Sequence, residues 1–404
     1  MGLSFTPEML VGLPEYLTGT NRFQNINKII TYNAAWREEA YDNLRHLLKY
    51  MRKIDASDMD IGGPGSNNYI WYRTYGQKSP NKDLPQYSHD EITAILLSVL
   101  SDDQKVLLFK NKNVDLSVGM VLEEGEVPSR FRSDIYYESN ELVGNFRRIN
   151  QNLFKIDTLG FPQPIIQRMD LQYEKSGLVL VTGITGSGKS STLDSIVDMN
   201  NHNNDAHIII IGAPIEYVHS SDRCIIRHRE IGEDVITFKD GVVQCLRQDP
   251  DIIIVGEMRD PDTIARVLEA TDSGHKAFST LHTSSAVDSL HRIIGEFPTR
   301  EQERIRLRLA DTLSIIISQK LVPNLKGKRS LAKEILSVTP SVKAAIRNQN
   351  LNEIYQMITE GKRLGMITLE QDLFSLYKKG EISKDVAVNY SNNRKRIEQL
   401  LKYS

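Results

Sequence analysis

Gly183-Ile-Thr-Gly-Ser-Gly-Lys-Ser190 fits the spacing G-x-x-x-x-G-K-[ST] at every fixed position, and its surroundings decide the fold. The preceding Gly177-Leu-Val-Leu-Val-Thr182 is a short apolar, β-branched run, which predicts a buried strand. Lys189 to Met199 reads as a helix. A strand, a glycine-rich turn and a helix start, in that order, aim backbone N–H groups and the positive end of the helix at one point. That geometry binds phosphate: the lysine supplies a point charge for terminal phosphates, and the serine hydroxyl after it suits a magnesium ion. The expected nucleotide-contacting residues are Gly183, Thr185, Gly186, Ser187, Gly188, Lys189, Ser190 and Ser191, with Ser190 on the metal and ATP and Mg2+ as cofactors.

Outward from this loop the sequence alternates strand and helix. Strand candidates at 178–182, 207–211, 252–256 and 277–281, with helices between, predict a parallel sheet covered by helices. Asp251-Ile-Ile-Ile-Val-Gly-Glu257 is a buried strand whose glutamate emerges at the C-terminal end, where such sheets hold ligands. A carboxylate there can orient and polarise a water for attack on the terminal phosphate. The bland alternative is a strand-end glutamate satisfied by a helix terminus. His275 and His282 flank the next strand; a lone strand-end histidine is more often structural, and no third ligand stands at metal-binding spacing.

The chain of 404 residues is long enough for two or three domains. Its formal net charge of −2 gives no overall electrostatic case for nucleic acid. Cys224 and Cys245, without a C-x-x-C pair, indicate neither a zinc module nor a disulfide scaffold. No apolar run approaches a membrane span, and the first residues turn polar too soon for a signal peptide, so a cytoplasmic protein is expected. The expected organisation is a helical extension over 1–54, a small α+β domain over 55–156, a linker over 157–164, the core over 165–300 and a helical region over 301–404.

The ordered set of the phosphate loop, Pro214-Ile-Glu-Tyr217, Asp249-Pro-Asp-Ile-Ile-Ile-Val-Gly-Glu-Met-Arg-Asp260 and Thr280-Leu-His-Thr283 resembles the secretion and type IV pilus ATPase superfamily, and within it the PilT-like retraction ATPases. Ala345-Ile-Arg-Asn348 and Gly365-Met-Ile-Thr-Leu369 resemble the C-terminal motifs of the same group, and the likeness covers roughly residues 85 to 380. The resemblance implies an α/β fold: a RecA-like P-loop ATPase core, a smaller N-terminal α+β (PAS-like) domain and a helical C-terminal segment. It also implies a homo-hexameric ring acting on an inner-membrane platform protein, peripheral to the membrane through that partner and without nucleic acid. Glu257, Glu216 and His282 fall at the catalytic positions, and Arg130, Arg132 and Arg147 match arginines that reach phosphates bound by a neighbouring subunit. Without the resemblance these arginines read equally as solvated strand residues.

One departure bears on rate. Gly212 and Ala213 stand where the family has an acidic pair before Pro-Ile-Glu, so a slow but real ATPase is expected. DotB-like secretion ATPases also lack the second acid of that pair. Retraction is favoured over assembly by the Ala345-Ile-Arg-Asn348 motif and by the absence of a tetracysteine insertion. The alternatives are a DotB-like secretion ATPase, a nucleotide-binding regulator that does not hydrolyse, and a ring helicase, against which neutral charge and the lack of a basic, aromatic-rich stretch count.

Overall fold

In the computed structural model, which describes residues 2–402 other than 75, 127 and 150–152, the chain divides into the units Met1–Gln151 and Asn152–Ser404. The first unit carries strands β1 (Asp58–Gly62), β2 (Ile70–Thr74), β3 (Gln77–Asn81), β4 (Asn113–Met120), β5 (Ser129–Glu138) and β6 (Glu141–Arg148). They form one antiparallel sheet in the order β3-β2-β1-β6-β5-β4. Alternation with period two sends Val114, Leu116, Val118 and Met120 of β4 inward, and leaves the opposite face polar.

Two helices, His89–Ser98 and Asp102–Asn111, stand between β3 and β4. Each opens on a capping box, Ser88 with Glu91 and Ser101 with Gln104, and the second box sets the break. Residues 1–54 are not a separate extension. Their helices bury Phe23, Ile26, Ile30, Leu44 and Leu48 in the same core as Met59, Ile61 and Phe146 of the sheet. The carboxylate of Glu91 ties them down by accepting the Leu3 N–H at 2.8 Å and the Thr6 hydroxyl at 2.7 Å.

The second unit contains β7 (Gly177–Thr182), β8 (His207–Gly212), β9 (Ile225–Glu230), β10 (Ile252–Val255), β11 (Lys276–Leu281), β12 (Leu313–Pro323) and β13 (Arg329–Ser337). Their order is β13-β12-β7-β11-β10-β8-β9, parallel throughout except for β13. The four strands read from the sequence appear here. Every residue of β10 and β11 is buried, which is why β10 runs Ile-Ile-Ile-Val without alternation.

Two expectations are corrected. The region after 300 is not helical throughout: after the helix Thr299–Thr312, β12 and β13 form a hairpin that joins the core sheet beside β7, and helices resume at Pro340. The run Leu313-Ser-Ile-Ile-Ile is too short for periodicity to separate a buried strand from a buried helix. The stretch expected as a linker, 157–164, packs into the second unit, with Phe161 buried in its core and Leu159 against it. Among the C-terminal helices, Pro340–Arg347 buries Ala345 and Ile346, and Arg347 pairs with Asp311.

Glu334 of β13 makes the second unit's stability depend on pH. It is buried and accepts the Ala286 N–H at 2.8 Å, at the start of the helix Ala286–Gly295. Burial pushes its carboxyl up to about 7; Glu370 and Asp288 push the same way, and the Ala286 and Leu369 N–H groups oppose. Lys320, itself lowered by burial, faces both Glu334 and Glu370. A carboxyl raised in the folded state loses its proton first in the unfolded state, so stability falls as pH rises from the unfolded value through the folded one, then levels. Glu334→Gln keeps the acceptor and removes the charge. Thermal melts should show it gaining more over wild type at pH 8 than at pH 5; an equal difference at both would rule this out.

Candidate active site

The phosphate loop joins β7 to the helix Lys189–Asn203, as its sequence requires. Gly188 adopts φ +89° at the helix start, which frees the first N–H groups of the helix. Gly183 leaves β7 at φ +150°, and a Cβ there would lie 2.4 Å from Ser187 Oγ and 2.5 Å from the Gln319 carbonyl oxygen. The loop is held from beneath by Gln319 of β12. Its Nε2 donates to the Ser187 carbonyl at 2.9 Å, and its Oε1 accepts from Thr192 Oγ1 at 3.1 Å. Ser187 Oγ is buried without a hydrogen-bond partner among the described residues. The Lys189 ammonium donates to the carbonyls of Gly183 at 2.9 Å and Ile184 at 3.2 Å. Burial lowers its pKa, while Glu257 and Glu216 pull it upward. Loop lysine and both predicted carboxylates therefore share one electrostatic site.

Glu257 follows β10, and two neighbours engage it. Oε1 lies 3.2 Å from His282 Nε2, and Oε2 lies 2.6 Å from an Arg259 Nη. His282 follows β11, the neighbouring parallel strand, so sheet register brings the pair together. His275, at the opposite end of β11, instead lies 3.0 Å from the Ala270 carbonyl through Nδ1 and is structural.

Glu216 is exposed on the segment after β8, which is fixed at two points. The Ile215 N–H donates to Glu230 Oε2 at 3.3 Å, and His219 Nε2 lies 3.1 Å from Asp194 Oδ1 on the phosphate-loop helix. The same segment has closed over Gly212, where a Cβ would meet Ile215 Cδ1 at 2.8 Å and the Pro214 carbonyl at 3.1 Å. A side chain at 212 would therefore have to displace Ile215 and crowd the Pro214 carbonyl.

Arg130, Arg132 and Arg147 lie in the first unit, on the polar face of its sheet. Arg132 pairs with Asp115 at 2.7 Å and Arg147 with Asp58 at 2.8 Å, while Arg130 Nη2 donates to Ser117 Oγ. Sequence reasoning missed Gln319, Asp194, His219 and Arg259. The signal for Gln319 was faint: the buried polar pair Ser318-Gln319 interrupting an apolar run.

The donor set fits Mg2+. Magnesium is held by one or two carboxylates, a hydroxyl and substrate phosphates. Ser190 at the helix start and the two carboxylates acting on Lys189 offer that chemistry around a glycine cradle that a Cβ at 183 would fill.

A parallel sheet with a glycine loop between a central strand and a helix, and a carboxylate after a strand separated from it by one other, defines a P-loop ATPase of RecA-like type. A family profile described as type II/IV secretion system protein matches residues 135–399, and the chain belongs to that family. The type IV pilus retractation ATPase PilT of Pseudomonas aeruginosa is 36% identical over 307 residues, 76% of this chain and 86% of the relative. The crystal structure of the pilus retraction motor PilT with bound ADP superposes with a TM-score of 0.79 at 35% identity, covering 88% of this chain and 98% of that one. The ATPase DotB of Legionella pneumophila gives 0.69 at 26% identity, covering 86% and 94%. Within the family the chain is PilT-like. No helix among the described residues is long and apolar enough to cross a membrane.

Proposed function

We propose that this chain is the ATP-hydrolysing motor of type IV pilus retraction, working as a homo-hexamer on an inner-membrane platform protein from the cytoplasmic side. The observation that carries the reading is the glycine loop that buries Lys189 at a helix start, together with Glu257 at the end of a strand of the same sheet, held between His282 and Arg259. The loop N–H groups from Gly183 to Ser191 cradle the phosphates of ATP, and Lys189 exchanges its carbonyl partners for the terminal phosphate oxygens. Glu257 orients the attacking water, His282 fixes the carboxylate, and Glu216 assists from the adjacent segment. Ser190 holds Mg2+, which neutralises phosphate charge when bound. Arg130, Arg132 and Arg147 act in trans on phosphates bound by a neighbouring copy. ATP binding closes one subunit interface and product release opens it, which converts turnover into domain rotation.

A second reading rests on the closed segment over Gly212: a nucleotide-binding subunit that joins active relatives and hydrolyses little itself. Deleting the gene in its own organism separates the roles. The expected phenotype is excess surface pili that fail to retract. Loss of pili would point to assembly, and normal pili with a protein-export defect to a DotB-like role; either would remove the retraction assignment.

A further inference from the structure

One transverse row of the first unit's sheet is cationic. Register sets Ser117, Arg132, Arg147, Asp58, Arg73 and Lys78 opposite one another across β4, β5, β6, β1, β2 and β3. Opposed residues share a face, and like charges directly opposite are unfavourable. Two of the cations have a carboxylate each: Arg132 has Asp115, and Lys78 has Asp60. Arg147 and Arg73 share one, Asp58, so the row's excess positive charge is concentrated between them. Arg147 Nε lies 2.8 Å from Asp58 Oδ1 and Arg73 Nε lies 3.6 Å from Oδ2.

Asp58 is built as an anchor. Its side chain is 8% exposed against 63% for that of Arg147. The Ser57 hydroxyl donates to Oδ2 at 2.7 Å. Burial by itself would raise the Asp58 pKa, but Ser57, Arg147 and Arg73 outweigh it and hold the group ionised below the usual range. Both arginines meet the carboxylate through Nε. Among the described residues no hydrogen bond engages the Nη groups of Arg147, and Arg73 commits Nη1 alone, to the Gly76 carbonyl at 2.8 Å. A guanidinium fixed by one edge keeps its remaining donors in a defined plane, which is what bidentate recognition of phosphate oxygens requires.

We propose that Asp58 is a positioning residue that presents Arg147 together with Arg73 as a paired fork for the phosphate groups of a nucleotide bound by a second copy of this chain. The proposal rests on the reading that the sheet arginines act in trans, and it adds Arg73, which no sequence motif marked, to that set.

The test is a mutant cycle read by steady-state phosphate release across an ATP titration. Asp58→Asn and Arg73→Gln should each lower kcat by about tenfold or more with KM for ATP held within about twofold, since misplaced transition-state contacts cost rate rather than ground-state binding. In an Arg73→Gln/Arg147→Gln background, Asp58→Asn should cost nothing further. An equal loss in both backgrounds would make Asp58 a structural residue, and unchanged kcat in Arg73→Gln, a surface substitution that leaves the core intact, would remove Arg73. If wild type releases no more phosphate than Glu257→Gln, the hydrolysis reading has failed separately. The same cycle is then read on affinity for a nucleotide–metal-fluoride analogue of the transition state in the assembled protein, where additive losses overturn the proposal and non-additive ones support it.

Discussion

Glu257→Gln is expected to cut steady-state phosphate release by about a hundredfold or more, the usual worth of a positioned general base, while leaving nucleotide affinity close to wild type. The substitution is nearly isosteric: the amide oxygen keeps one of the contacts with His282 and Arg259, the NH2 replaces the oxygen of the other, and the charge is lost. The glutamate contributes little to holding phosphate, because like charges repel; removing it relieves the site and can tighten ATP binding. Lys189 gives a second readout. Glu257 is among the groups that raise its pKa, so the neutral variant leaves burial less opposed and lowers it further. Phosphate release from purified protein and titration with a fluorescent ATP analogue measure the two arms. Equal and negligible release from wild type and variant would abandon the motor reading for the regulator. A fall in affinity as large as the fall in rate would show that Glu257 holds nucleotide rather than water.

That site was legible because its parts are contiguous in sequence. The loop follows the short apolar strand β7, Glu257 follows the apolar β10 and His282 follows the fully buried β11, and parallel pairing sets these strand ends side by side. What escaped were residues whose neighbours come from far along the chain. Gln319 lies 132 residues from the Ser187 carbonyl it supports, on a strand that reads equally well as helix. Asp58 and Arg147 are 89 residues apart, and only antiparallel register sets them opposite one another. The vacancy at Gly212 and Ala213 was visible as composition, but its physical content was not. Ile215 and the Pro214 carbonyl occupy the space a side chain at 212 would need. A side chain at 212 would have to displace Ile215 and crowd the Pro214 carbonyl, so restoring the acid alone is not expected to raise phosphate release.

Gly183→Ala should be the most damaging single-methyl change in the loop. The residue sits at φ +150°, and its Cβ would fall 2.4 Å from Ser187 Oγ and 2.5 Å from the Gln319 carbonyl oxygen. A side-chain hydroxyl can rotate away, but the second obstacle is β12 backbone at Gln319, paired with Lys333 of β13 and next to Ser318, which pairs with Thr182 of β7. The loop must therefore move, and its N–H groups leave the point at which they converge. Losing two charge-assisted bonds at about 1.5–3 kcal/mol each amounts to at least about a hundredfold in nucleotide affinity. Gly186 supplies the comparison. It too has positive φ, +78°, yet a Cβ there meets nothing within 4 Å, so Gly186→Ala carries only the backbone cost of about 1 kcal/mol. Thermal melts without nucleotide should place Gly183→Ala well below Gly186→Ala, with Ser187→Ala restoring the former only in part because the Gln319 contact persists. If Gly186→Ala proved as unstable as Gly183→Ala, conformational preference alone would account for both, and the steric seat of the loop against β12 would lose its support.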